Sequence, residues 1–184
     1  ASACSHRMLP CPARKLELVL YPLEAVRSAP PSLDWLLNLE TGAAGEDVSF
    51  DPASQPRHWF VLDAAIARDH ARPVIGPPAG EVFAPLDRDR VIEALRDSIA
   101  WHREHDPGSA NAVLNACRGW AWTRTGAWMS KPDAARWAAE RTSYASLVRS
   151  ALAIHGGASG EPLSPEAADA FVAEAERGLM GSGG

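Results

Sequence analysis

The chain has 184 residues, of which 46% are hydrophobic and 22% charged, with 18 Lys and Arg against 23 Asp and Glu. A net charge of −5 with no basic stripe argues against nucleic acid as the main partner, and no helix reads as a DNA-recognition helix. No apolar run approaches the ~20 residues needed to span a bilayer, and Leu16 to Leu20 is too short for a secretory signal, so a cytoplasmic protein with no membrane partner is expected.

Three cysteines, Cys4, Cys11 and Cys117, fit no metal spacing. They read as free thiols in a reducing compartment, with Cys117 on an apolar helical pattern. The chain starts on Ala1, not Met, and reads as though entered mid-protein.

Residues 1 to 13 are rich in Cys, Pro and Ser and are expected to be irregular. Lys15 to Tyr21 is short, β-prone and closed by Pro22, which predicts a strand. Leu16, Leu18 and Leu20 share one face of it; Glu17, Val19 and Tyr21 share the other. Glu17 is therefore either an edge-strand carboxylate in water or an inward acid with a partner. A lone strand is not stable, so Trp35 to Leu39 and Val48 to Phe50 are expected as short strands around a Gly42-to-Gly45 turn. Pro30-Pro31 and Asp51-Pro52 punctuate this region.

From Pro56 the period becomes helical. Trp59, Leu62, Ile66 and His70 define one apolar stripe, ended by Pro73, and Gly76-Pro77-Pro78 makes a rigid loop. Arg88 to His105 carries Val91, Ile92, Leu95, Ile99 and His102 on one face, with Asp87 or Asp89 as its cap. Asp106-Pro107-Gly108 breaks it. Asn111 to Thr125 follows, with Val113, Leu114, Cys117, Trp120 and Ala121 inward and Gly126 as C-cap. Ser130 caps the next helix, with Pro132 in its first turn. Ala134 to Glu140 and Tyr144 to Ile154 read as two antiparallel helices. Ser164-Pro165-Glu166 opens a last helix to about Leu179, and residues 180 to 184 read as a flexible tail.

The expected fold is mainly α: an antiparallel bundle of five or six helices over 56–179, preceded by a short β-containing segment over 1–55. Seven tryptophans are many for a chain of this size. Trp59, Trp101, Trp120 and Trp137 lie on inferred apolar faces. Trp122 and Trp128 have no such face and are candidates to line a cleft.

Several stretches in order carry a resemblance. They are Leu16-Glu17-Leu18-Val19-Leu20, then Asp63-Ala64-Ala65-Ile66 leading to Gly76-Pro77-Pro78-Ala79 and Glu81-Val82-Phe83. They continue as Asn111 to Arg118, then through Gly126 to Ser130-Lys131-Pro132-Asp133-Ala134-Ala135-Arg136-Trp137-Ala138. From about residue 14 to residue 155 the chain resembles the streptomycin and spectinomycin adenylyltransferases, a family of aminoglycoside nucleotidyltransferases.

The resemblance implies AMP transfer from ATP, with Mg2+, to a hydroxyl of an amino-sugar or aminocyclitol. It makes residues 1–55 a remnant of an α/β nucleotidyltransferase domain, whose Gly-Ser turn and Asp-x-Asp pair hold the triphosphate and the ion. It places Glu17 where the base activating the acceptor lies, and Arg118 and Lys131 where cations meet the nucleotide phosphates. Such chemistry is mostly positioning and charge neutralisation, with a base at the attacking hydroxyl. His58, Asp63, Glu104, Asp106 and Trp122 are the candidates for substrate contact.

The chain departs from the family pattern in two places. It contains no Gly-Ser turn followed by Asp-x-Asp, so no complete metal site and no independent activity are expected. The acidic, Trp-containing segment of the family is here His102-Arg103-Glu104-His105-Asp106-Pro107-Gly108-Ser109, without a Trp at the matching place. The alternative is a non-catalytic helical domain that binds a ligand or a protein. An exposed β edge at Leu16 to Tyr21 would also favour a homodimer.

Overall fold

The computed structural model describes residues 16–42, 45–158 and 162–180. The expectations for residues 1–13, for Cys4, Cys11 and Lys15, for the centre of the Gly42-to-Gly45 turn and for the tail beyond Met180 lie outside them. The chain is mainly helical, with one small antiparallel sheet near its start. It divides into two compact units, Ala1–Pro85 and Leu86–Gly184.

The first unit holds β1 (Leu16–Leu20), α1 (Leu23–Ser28), β2 (Leu37–Gly42), β3 (Gly45–Ser49), a 3-10 turn (Pro52–Ser54), α2 (Arg57–His70) and α3 (Ala79–Val82). The sheet order is β1-β2-β3, antiparallel throughout. Leu16, Leu18 and Leu20 lie opposite Thr41, Leu39 and Leu37, and Leu39 lies opposite Val48. One face of the sheet is therefore largely apolar and the other polar. The second and third strands were expected at 35–39 and 48–50. They instead run through the polar residues Asn38, Glu40, Thr41, Glu46 and Asp47, because backbone pairing across the hairpin continues to Gly42 opposite Gly45. Hydrophobic pattern alone does not register a ladder held by main-chain bonds.

An aromatic cluster forms the centre of this unit. Trp35 is 2% exposed and its ring lies 5.3 Å from that of Phe60. Tyr21 meets Phe60 and Phe83 edge-on, each at 6.4 Å. Burial, and then the nearby Asp63 carboxylate, push the Tyr21 phenol well above its ordinary pKa. Helix α2 turns a different face inward than its Trp59, Leu62, Ile66 and His70 stripe suggested. Phe60, Val61, Ala64 and Ala65 are buried, Trp59, Leu62 and Ile66 are half-buried, and His70 is exposed. Two apolar stripes about a quarter-turn apart compete on this helix, and the partner surface chose between them. Helices α1 and α3 are too short to have a legible period. Arg68 of α2 holds α3 by donating to the Gly80 carbonyl at 2.7 Å and to that of Phe83. The Ala84 amide donates to Val26 O of α1 at 2.8 Å.

The second unit is the bundle: α4 (Arg88–His105), α5 (Ala110–Thr125), α6 (Lys131–Ala139), α7 (Ala145–His155) and α8 (Pro165–Met180). Helix α5 is its axis and packs against the other four. Val113, Leu114, Ala116, Cys117 and Ala121 on α5 have no exposed surface, and Ala134, Ala138, Val148, Ala151, Phe171 and Ala175 meet them from the surrounding helices. The many alanines set short interaxial distances, as ridges of small side chains allow. The helix ends follow their local chemistry. Ser109 Oγ accepts the Ala112 amide at 2.9 Å, Ser130 Oγ accepts that of Asp133 at 3.2 Å, and Gly126 closes α5 with φ 72°. Asp87 stands at the N-cap of α4 but makes no side-chain cap bond.

Trp120 is enclosed by Trp137 at 5.3 Å and Phe171 at 6.5 Å, and Gly178 of α8 backs its indole. A Cβ at Gly178 would fall 2.6 Å from both Trp120 Cδ1 and Nε1. Gly178→Ala therefore costs stability although alanine is the better helix former: a loss of about 1–3 kcal/mol in urea unfolding is expected, and an unchanged or higher midpoint would contradict this packing.

Cys117 is fully buried, and burial pushes its thiol up to about 12 from the ordinary 9.0. The folded state holds the proton more tightly than the unfolded chain. This contribution to stability is whole below pH 9 and is lost as the pH rises toward 12. Iodoacetamide at pH 8 should label Cys117 only when urea is added, as read by peptide mass mapping.

Candidate functional site

Glu17 projects from β1, an edge strand of the described sheet, and is exposed. It lies directly opposite Glu40, which in turn lies opposite Asp47. Three carboxylates thus form a row across the polar face of the sheet. Like charges set opposite one another are unfavourable and favour an approaching cation. His58 and Asp63 are carried by α2 in the same unit. The N-cap of α2 is Pro56, and no side chain caps the helix. His58 is 7% exposed, and its ring stands edge-on to Trp59 at 6.1 Å. Asp63 is exposed, near enough to Tyr21 to raise the phenol.

The remaining candidates sit in the bundle. Glu104 is exposed in the last turn of α4. Asp106 follows immediately, at the C-cap, and is not a freely solvated loop acid. Its Oδ1 accepts from His102 Nδ1 at 2.7 Å and its Oδ2 from Ser109 Oγ at 2.9 Å. One carboxylate therefore ties the end of α4 to the start of α5. His102 is 5% exposed, and its other ring nitrogen, Nε2, accepts from Asn115 Nδ2 at 2.7 Å. Beside it, His105 stacks on Trp101 at 4.6 Å and donates through Nδ1 to the Trp101 carbonyl at 2.9 Å.

Asn111, Asn115 and Arg118 occupy positions i, i+4 and i+7 of α5 and so share one stripe. Asn111 is exposed while Asn115 and Arg118 are half-buried, in a helix whose other sides are closed by packing. Lys131, in the first turn of α6, reaches this stripe and donates from Nζ to Asn111 Oδ1 at 2.6 Å. Arg118 follows Asn111 by seven residues, about 10 Å along the axis. Lys131 is thus bonded to the stripe of α5 that also carries Arg118. Trp122, eleven residues beyond Asn111, is 8% exposed. Its ring stacks on Trp128 at 5.2 Å, with the Arg88 guanidinium 5.0 Å from its centroid, and Arg88 also donates to the Thr123 carbonyl at 2.7 Å. Trp122 and Trp128 are both buried rather than open to a cleft.

The side chains that sequence reasoning passed over are Asn111, Asn115, Ser109 and His102 as a polar set. The signal was available in part. Two asparagines four residues apart, followed by Arg118, interrupt a face that would otherwise be apolar, and asparagine is a poor choice for a helix interior without a partner.

Among the described residues, no group of three or more His, Cys, Asp or Glu side chains could hold a metal ion. Among the same residues, no helix is long and apolar enough to cross a membrane.

The profile of the family described as aminoglycoside adenylyltransferase, C-terminal domain, matches residues 81–177. Proteins named aminoglycoside (3'') (9) adenylyltransferase from Klebsiella pneumoniae, Shigella flexneri and Escherichia coli are each 34% identical to the chain over 99 residues. Those residues are 50% of this chain and 36% of each relative, so the match spans about a third of the relatives' length. The matched segment contains α4, α5, α6 and α7 and nearly all of α8, together with Arg118, Lys131, Glu104 and Asp106. The chain belongs to the aminoglycoside adenylyltransferase C-terminal domain family.

Proposed function

We propose that the chain supplies the helical part of an adenylyltransferase that moves AMP from ATP, with Mg2+, to a hydroxyl of an amino-sugar or aminocyclitol. The observation that carries this reading is that Lys131 bonds to Asn111, seven residues before Arg118 on α5, inside the family-matched segment. Cations brought to one stripe of a helix suit a polyphosphate. Arg offers a planar fork and Lys a point charge, and together they neutralise phosphate oxygens.

In the transfer, the acceptor oxygen attacks the α-phosphorus and a new P–O bond forms. The α–β bond breaks, pyrophosphate leaves with its electron pair, and the hydroxyl proton passes to a base. Glu17 is the residue proposed for that base. Bound Mg2+ would add charge neutralisation at the phosphates; this chain's part is to hold the phosphates and take the proton. Asp63 and Glu104, both exposed, are the carboxylates proposed to meet the acceptor's ammonium groups. Asp106 is engaged with His102 and Ser109, and His58 and Trp122 are buried, so their contribution is to shape the surrounding structure.

A second reading, a non-catalytic helical domain that binds a ligand or a protein, is favoured by the exposure of Glu17 on an edge strand. The two separate in one set of measurements on the full-length chain. Glu17→Gln should lower kcat for adenylylation of streptomycin or spectinomycin by about 100-fold or more while leaving the calorimetric affinity for Mg-ATP unchanged. Lys131→Met and Arg118→Met should each weaken Mg-ATP binding by about tenfold. Full transfer activity in Glu17→Gln would refute the base assignment, and no heat with Mg-ATP in the wild type would favour the non-catalytic reading.

A further inference from the structure

A continuous set of polar contacts runs from the Lys131 ammonium to the connector between α4 and α5. Lys131 Nζ donates to Asn111 Oδ1 at 2.6 Å, and Asn115 Nδ2 approaches the same oxygen at 3.5 Å. Asn115 Nδ2 also donates to His102 Nε2 at 2.7 Å. His102 Nδ1 donates to Asp106 Oδ1 at 2.7 Å, Asp106 Oδ2 accepts from Ser109 Oγ at 2.9 Å, and Ser109 Oγ accepts the Ala112 amide at 2.9 Å. The set is exposed at its Lys131 end and buried at His102, which is 5% exposed.

The chemistry of the donors fixes the arrangement. An amide N–H can donate to Nε2 only when that nitrogen carries a lone pair, so the imidazole proton sits on Nδ1, where Asp106 accepts it. With its nitrogen turned to His102, the Asn115 amide directs its second N–H toward Asn111 Oδ1. That contact orients the Asn111 amide and leaves its oxygen facing Lys131. A buried imidazole is thus connected, through two amides, to the Lys131 ammonium.

We infer that His102 is a positioning residue for Lys131, acting through Asn115 and Asn111. Its consequence for catalysis rests on the reading that Lys131 meets nucleotide phosphate; the linkage itself does not. The competing role is purely structural, with His102 holding the connector through Asp106. The two ring nitrogens separate these roles. Gln at position 102 can set an acceptor oxygen near the place of Nε2, toward Asn115. Asn at position 102 reaches only the place of Nδ1, toward Asp106. Positioning of Lys131 makes Gln the better substitute, whereas a connector role makes Asn the better one.

The test uses the full-length chain with His102→Gln, His102→Asn, Asn111→Leu and Lys131→Met. The first measurement needs no nucleotide: the NMR resonance of the Lys131 ammonium, assigned by its loss in Lys131→Met, and the ring nitrogens of His102. The Lys131 signal should move in Asn111→Leu and His102→Asn and return toward the wild-type position in His102→Gln. The His102 Nε2 signal should move in Asn111→Leu, an exposed site where substitution leaves the core intact. The second measurement is steady-state kinetics, or the calorimetric Kd for Mg-ATP. His102→Asn should raise KM for Mg-ATP about three- to tenfold with kcat held within about twofold, and His102→Gln should restore it. A wild-type Lys131 signal in His102→Asn, equal effects of Gln and Asn, or an unmoved His102 ring in Asn111→Leu would overturn the inference. If the signals move as expected while Lys131→Met leaves Mg-ATP affinity intact, the positioning stands and the nucleotide reading fails.

Discussion

The second unit depends on one constraint: α5 must be enclosed by four helices and still carry a polar stripe. Enclosure is met by small side chains. Ala112, Ala116, Gly119 and Ala121 let neighbouring backbones come close, and a Cβ on Gly119 would already stand 3.2 Å from Leu95 Cδ2. Helices crowded this tightly leave little room for a polar group unless it is bonded, because an unpaired buried donor or acceptor costs on the order of 1–3 kcal/mol. The stripe of Asn111, Asn115 and Arg118 is tolerated because its asparagines bond to His102 and Lys131. Packing and polarity are thus two sides of one requirement on the same helix.

This requirement bears on the α4–α5 connector. Asp106-Pro107-Gly108 interrupts the helical chain, and Asp106 then spends both oxygens joining His102 to Ser109. The bonds satisfy the cap of α5 and orient a buried imidazole at once. In the family resemblance this segment is where acceptor contacts were expected. Here Asp106 is engaged within the protein, and Glu104, two residues earlier, is exposed.

The first unit follows different physics. Its sheet is small, its edge strand carries Leu16, Leu18 and Leu20 at 39–46% exposure, and its polar face has three acids in a row. What holds it is the aromatic cluster of Tyr21, Trp35, Phe60 and Phe83, with Arg68 tying α3 to α2 through backbone carbonyls. The unit keeps its acids outward and its rings inward.

Much of the bundle was readable in the amino-acid order alone. A period of 3.6, Ser109, Ser130 and Gly126 at helix ends, and Pro132 in a first turn are local signals, and local backbone chemistry decides them. The inward face of α5 and the family relationship were legible for the same reason. Other features depend on which surface meets which: the face α2 buries, the reach of β2 and β3 into polar residues, and the burial of Trp122 under Trp128 and Arg88. The joining of His102, Asp106 and Ser109 to Asn115, Asn111 and Lys131 is of this kind. Those groups are up to 29 residues apart in sequence, from His102 to Lys131, and meet only because α4, α5 and α6 are packed together. Periodicity states which residues want to be buried; only the assembled helices state against what, and the bonds that polar groups make at that contact are settled there.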